Sequence, residues 1–318
     1  MIGFLVRRVL QALIVIVIVL LLVFFLAHII PGGAARAALG PRASEQAIRQ
    51  FNHENNYDRP LIVQFLLYLK NLVWHHYLGY SYHFNQGVSA IIAERLPKTL
   101  VLLGLSTIVA LIIAIPLGIL QVVRRNKPVD YVLTGASFVF YAMPSFLLGS
   151  LLILYFAVDI PLFSVEAPQG QTVGAILSDP RGLVLPVITL AAITIASFSR
   201  YMRSSMMETM TEDYVRTARA KGARSHRVLF VHALRNALIP IITLLGLSIP
   251  AIVSGAVIVE TVFNYPGMGL LTYQAALNTD IPLLLGTAFV ATLATVVGSF
   301  LADVMYATVD PRIRYASG

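Results

Sequence analysis

Long apolar runs separated by short polar segments dominate the chain. They fall at Val9 to Ile30, Thr99 to Val123, Tyr131 to Val158, Leu183 to Arg200, Leu238 to Val259 and Leu283 to Thr308. At about 1.5 Å per residue each run approaches or exceeds the roughly 30 Å of a hydrocarbon core. The pattern predicts six membrane-spanning helices. The first run outlasts the roughly 7–15 residues of a signal-peptide core, and Pro31-Gly32-Gly33 is not a clear cleavage site, so it reads as a retained span.

Between the first two runs, residues 31–97 are mixed and polar. Ile48 to Phe51 and Leu61 to Leu72 have helical apolar spacing, which predicts a small, partly helical extramembrane subdomain. His75, His76 and His83 invite a metal reading. No carboxylate or thiolate stands at a recognisable ligand spacing, so they are expected to be surface or interfacial histidines. Several spans carry breakers: Pro116 and Gly118, Pro144, Pro186, Pro250 and Gly255. A proline inside a span frees a carbonyl that another helix or a water-filled cavity must satisfy. A passage through the bundle is one reading, and an ordinary kinked bundle is the other.

Composition fixes the class. Hydrophobic residues make up 58% and charged residues 12% of 318, which is an integral membrane protein rather than a soluble domain. With no cysteine there is no disulfide, thiolate metal site or cysteine nucleophile. The net charge of +8 is not a nucleic-acid signal, because the cations gather in short segments between the runs. Arg7 and Arg8, then Arg124, Arg125 and Lys127, then Arg200 to Arg235, then Arg312 and Arg314 alternate with segments poor in Lys and Arg. The positive-inside rule puts both termini and the 204–237 segment in the cytoplasm and residues 31–97 outside. The expected organisation is a first span in 1–30, an extracytoplasmic subdomain in 31–97, and a five-helix core in 98–318.

One segment is not lipid-facing helix. Tyr214 to Pro240 carries Arg216, Arg219, Lys221, Arg224, Arg227 and Arg235 behind the acids Glu208, Glu212 and Asp213. Thr211 or Asp213 can cap a helix whose C-terminal stop is Gly222. Ser225 can then cap a second helix with Val228, Leu229, Val231, Leu234 and Leu238 on one apolar side. A helix, a glycine hinge and a helix make a compact basic protrusion. It reads either as a docking surface or as an ordinary basic loop.

Ionisable residues within the spans are few. Glu260 and Asp303 lie near opposite interfaces, too far apart for a proton relay, and are expected to pair structurally with neighbouring helices or backbone. Asp130 beside Arg124 and Arg125 is expected to be a loop contact. The chain holds no phosphate loop, HExxH, GxSxG or paired carboxylates on one helix face, so no catalytic residue, cofactor site or metal site is expected. Three classes stay open on these grounds: a permease worked by other subunits, a proton-driven secondary transporter, and a membrane-embedded enzyme.

Ordered motifs carry a resemblance. They include Asp58-Arg59-Pro60-Leu61, Arg95-Leu96-Pro97-Lys98-Thr99-Leu100, Met143-Pro144-Ser145-Phe146, Arg200-Tyr201-Met202-Arg203, Asp213 through Gly222, Glu260-Thr261-Val262-Phe263 with Pro266-Gly267-Met268-Gly269, and Asp310-Pro311-Arg312. The chain resembles the first of the two paired permease subunits of bacterial dipeptide/oligopeptide ABC importers. The resemblance implies an all-α, six-span type I bundle with a long loop after span one. It implies a second homologous permease, two cytoplasmic ATPase subunits that bind ATP and Mg, and an extracytoplasmic binding protein. It also implies an ATPase-coupling role for Tyr214, Arg216, Thr217, Ala218, Arg219, Lys221, Gly222, Arg224 and Arg227. The general importer signature E-A-A-x3-G is kept only at Ala218 and Gly222, with Arg216 and Thr217 in its first two positions.

Overall fold

A computed structural model describes residues 2–29, 33–40 and 42–309, with side chains at all of these except 2–6, 249, 250, 254 and 301–309. Pro31-Gly32, Arg312, Arg314 and the side chains of Pro250 and Asp303 therefore lie outside the described residues. The described chain is helical apart from one two-stranded hairpin, β1 (Tyr80–Ser81) with β2 (Gln86–Gly87), in which Tyr80 pairs with Gly87.

Helix α1 (Ile2–Ile29) is followed by three short helices, α2 (Gly33–Leu39), α3 (Glu45–Glu54) and α4 (Leu61–Trp74), and then by the hairpin. The next helix, α5 (Val88–Val123), starts well before the apolar run that predicts it at Thr99, and it holds Pro97 and Pro116 inside it. The third apolar run is not one straight helix. Pro144 offers no N–H and drives Met143 into extended geometry (φ −73, ψ 125), so α6 (Pro128–Ala142) and α7 (Ser145–Ile153) meet at a bend of 101°. A π-helical turn, Leu154–Asp159, continues α7. After α8 (Val173–Leu177) comes the long α9 (Pro180–Thr209).

The basic segment forms α10 (Asp213–Ala220), α11 (Ser225–Arg227), a π-helical turn Val228–Ala233, and α12 (Leu234–Ala237), which leads into α13 (Ile239–Ser254). Short helices α14 (Val257–Val262) and α15 (Met268–Leu277) precede α16 (Ile281–Val309). Among the described residues five helical stretches are long and apolar enough to cross a membrane, and six if the bent α6–α7 pair is counted as one span.

Helices α5 and α9 pack along each other as the centre of the bundle. Gly118 lets them touch, since a Cβ there would sit 2.6 Å from Met202 Cβ. The core divides between the two ends of this pair. At one end, Ala114 and Ile119 of α5 and Met202 and Met206 of α9 enclose Val215, Val228, Ala233 and Ala237. At the other, Val88, Ile91 and Ile92 of α5 pack on Met268, Leu271 and Leu283, and Leu102 packs with Leu185, Phe263 and Tyr265. Helix α1 lies on α16 through Leu20, Phe24 and Ala27 and leaves most of its apolar surface uncovered.

Candidate coupling site

The basic protrusion is built on the first of those core ends. In α10, Val215 is fully buried while Tyr214, Arg216, Thr217 and Arg219 stand exposed around it. Burying a valine contributes about 1.5–3 kcal/mol, which fixes the helix to the ends of α5 and α9. Gly222 has φ +78, and the turn closes with Ala223 N–H on Ala218 O (3.1 Å) and Gly222 N–H on Arg219 O (2.9 Å). This is a Schellman stop, in which the glycine takes the left-handed conformation that a side chain resists. Lys221 is exposed just before it, and Arg224 and Arg227 are exposed beyond it. The Tyr214 hydroxyl accepts from Asn236 Nδ2 (2.8 Å) and ties the two halves of the protrusion together.

Three local expectations are corrected here. Helix α10 begins after Glu212 with no side-chain cap: the Thr211 hydroxyl donates back to Glu208 O, and Asp213 instead faces Arg216 at 3.5 Å. Ser225 is the first residue of its helix rather than its cap. Val231 is exposed whereas Ala233 and Ala237 are buried, because the π-helical turn inserts a residue and rotates the apolar face that regular spacing predicts. Beside the protrusion lies an apolar groove of about 920 Å³, bounded by Ile119 and Val123 of α5 and by Arg219, His226 and Phe230.

Glu260 is fully buried near the other end of the bundle. Its Oε1 accepts from the Thr99 hydroxyl (3.1 Å) and Ala256 N–H (3.2 Å), and its Oε2 accepts from Leu270 N–H (2.9 Å). Thr99 Oγ1 accepts in turn from Met268 N–H (2.7 Å), so one carboxylate joins α5, α14 and the start of α15. The Tyr265 hydroxyl donates to Lys98 O (2.6 Å) beside it.

Asp130 is not a loop contact with Arg124 or Arg125. It forms a two-pronged pair with Arg203 of α9, Nε to Oδ1 at 3.0 Å and Nη2 to Oδ2 at 3.1 Å, and also takes Asn126 N–H. The sequence holds a signal for this pairing, because both residues fall in segments that charge alternation assigns to one side. No such signal links Thr99 to Glu260. His75, His76 and His83 are all exposed, and no group of three metal-ligating side chains occurs among the described residues.

Taken together, the apolar helices and the broken span define a multi-pass membrane protein with a basic protrusion locked to one core end. The chain belongs to the binding-protein-dependent transport system inner membrane component family. That family's model matches residues 110–315, and the model of its N-terminal part matches residues 1–103. The fold is therefore that of an all-helical type I ABC permease. Among similar proteins are the oligopeptide transport system permease protein AppB of Bacillus subtilis, 37% identical over 99% of this chain and 100% of its own length, and a putative peptide permease of Brucella suis biovar 1, 38% identical over 91% and 92%. A probable peptide ABC transporter permease of Sinorhizobium fredii is 34% identical over 98% of this chain and 99% of its own.

Proposed function

We propose that this chain is the permease subunit of an ATP-driven importer that takes up dipeptides or oligopeptides delivered by an extracytoplasmic binding protein. The peptide class comes from relatives described as peptide permeases and similar along nearly the whole chain. A second, homologous permease completes the passage, and two cytoplasmic ATPase subunits, which bind ATP and Mg, drive it. Both termini and the 204–237 segment face the cytoplasm, following the distribution of Lys and Arg.

The observation that carries this reading is the build of residues 213–227. A short helix with exposed cations is held by Val215 on the core end that α5 and α9 share, and its exit is fixed by Gly222. A moving partner that grips Arg216, Thr217, Arg219, Lys221, Arg224 and Arg227 would displace those helices as a unit, since a close-packed interior transmits strain. Glu260 then serves as a fixed tie at the far end, and Asp303 as a structural acid of α16.

Reconstitution into vesicles with both ATPases, the second permease and the binding protein tests the reading. ATP-dependent peptide uptake is expected, and none from this chain alone under a proton gradient. The chain has no cysteine, so a single Cys at Ser225 reports sidedness without background. Labelling of that Cys from outside intact cells refutes the orientation.

A further inference from the structure

A cavity of about 270 Å³ lies where the short helices after α1 meet the start of α16. Its walls come from the end of α3, from α4, from the hairpin, from Phe24 of α1, and from Ile281, Pro282 and Leu285 of α16. The walls are tied to one another. The Tyr82 hydroxyl donates to Asn55 Oδ1 (2.9 Å), which joins the hairpin to the end of α3. The Ser81 hydroxyl donates to the buried Asp280 carboxylate, which joins the hairpin to the start of α16.

The chemistry of the lining is one-sided. Tyr57, Tyr68, Tyr77, Tyr80 and Tyr82 line the cavity with Phe24, and among the described residues no Lys, Arg or His does, in a chain of net charge +8. The charged side chain in the lining is Glu54, one oxygen of which accepts from Gln50 Nε2 (2.9 Å). Asp280 adjoins Tyr57 and Tyr82 in a smaller space beside the first. Its carboxylate takes the Ser81 hydroxyl and Leu283 N–H (3.2 Å), and no cation pairs with it among the described residues. Burial, then Tyr82, then the Asp280 charge push the Tyr57 hydroxyl above the usual tyrosine range, so that side chain stays neutral. Gln64 supplies a fixed acceptor. Its Nε2 donates to Tyr57 O (3.1 Å) and Arg59 O (2.8 Å), which sets the amide's orientation and leaves Oε1 buried without a donor. One turn on along α4, the Tyr68 hydroxyl is also buried without a partner.

Tyrosine rings attract cations, carboxylates favour them at longer range, and an unmatched amide oxygen takes an N–H. We infer that this cavity is a binding site for a primary ammonium group. A quaternary ammonium suits the rings and the negative charge but gives Gln64 Oε1 no hydrogen. A neutral alcohol suits the amide and lacks the charge. The volume lies below the range that takes drug-sized ligands, so it admits a headgroup or a chain terminus rather than a whole oligopeptide. Two sources carry the group, the amino terminus of a peptide and the amine of a lipid headgroup, and the site stands whichever supplies it.

The test uses the purified full-length chain in nanodiscs of phosphatidylglycerol, which carries no amine, with 4-fluorobenzylammonium as the probe and its fluorine NMR linewidth as the readout. The chain is expected to broaden the signal, and n-propylammonium to reverse the broadening about ten times more effectively than n-propanol. Tyr68→Phe keeps the ring and removes the unpartnered hydroxyl, and Glu54→Gln removes the charge of an exposed side chain while keeping its shape. Each is expected to weaken probe binding about three- to five-fold. Glu45→Gln, at the other end of α3 and outside the cavity, should leave it unchanged. Emission from Trp74, the one tryptophan of the chain and the last residue of α4, shows that the variants keep the fold. Equal reversal by propanol and propylammonium, or the same response from Glu45→Gln and Glu54→Gln, overturns the site. So does broadening no greater than that of empty nanodiscs, which would leave a cavity for water only. Competition by trialanine but not N-acetyltrialanine sustains the site and assigns it to a peptide amino terminus. Loss of probe binding when phosphatidylethanolamine enters the nanodisc sustains it and assigns it to a lipid headgroup.

Discussion

Replacing Glu260 by alanine tests the tie at the far end of the bundle. The carboxylate receives the Thr99 hydroxyl and the amides of Ala256 and Leu270 in a place with no exposure to solvent. Both amides lie at helix starts, where the backbone supplies no acceptor of its own. A buried donor left without an acceptor costs about 1–3 kcal/mol, so the two amides and the hydroxyl together give a loss of about 3–9 kcal/mol. Glu260→Gln keeps one carbonyl oxygen and turns an NH2 toward a donor, which should cost only about 1–3 kcal/mol. The assay is denaturant unfolding of the purified chain in mixed micelles, with Thr99→Val and the double variant completing a thermodynamic cycle. Because Thr99 and Glu260 share a hydrogen bond, the double variant should lose less than the sum of the single losses. Stability of Glu260→Ala within about 0.5 kcal/mol of the parent, or strict additivity in the cycle, refutes the tie.

Gly222→Val meets no atom within 4 Å, so its effect is conformational: a β-branched residue at φ +78 costs about 1–2 kcal/mol, enough to reset the turn. Membrane insertion should be unchanged while ATP hydrolysis by the complex separates from uptake, and intact coupling in vesicles counts against the docking role. Asp130→Ala leaves the Arg203 guanidinium without its carboxylate and should destabilise the chain by about 3 kcal/mol in the same unfolding assay, with Asp130→Ala/Arg203→Met recovering most of the loss. A double variant no better than the single one would show that the pair is not what holds α6 to α9. Val215→Ser removes the apolar anchor of α10 and should raise proteolysis between Asp213 and Arg227 without altering the membrane-embedded fragments, as read by mass spectrometry.

The spans were legible because the bilayer imposes one long apolar run per crossing: α16 coincides closely with its run, whereas α1 starts before Val9 and α9 continues past Arg200 to Thr209, where polar residues extend the helix beyond the apolar stretch. Where the sequence misled, a backbone event intervened that hydrophobicity does not encode. Pro144 divides the third run into two helices at 101°, and the π-helical turn at Val228–Ala233 moves Val231 to the surface. The Gly222 stop was readable from residue type alone, because its hydrogen bonds are local. The Thr99–Glu260 tie was not, because its partners are brought together only by the tertiary fold.

The distribution of polar groups constrains how motion can pass through such a bundle. The core beneath α10 includes residues of α5, α9 and α13, so a displacement of the protrusion cannot be absorbed locally without opening packed contacts. Helix α9 carries that displacement toward Arg203, Ser199 and Arg200, side chains through which it meets α6. On the coupling reading, α9 is therefore the lever and Glu260 the anchor: the carboxylate fixes α14 and α15 to α5 where motion would otherwise dissipate. The Asp130–Arg203 pair passes the same displacement from α9 to α6, and so to the bend at Met143-Pro144 where α6 meets α7.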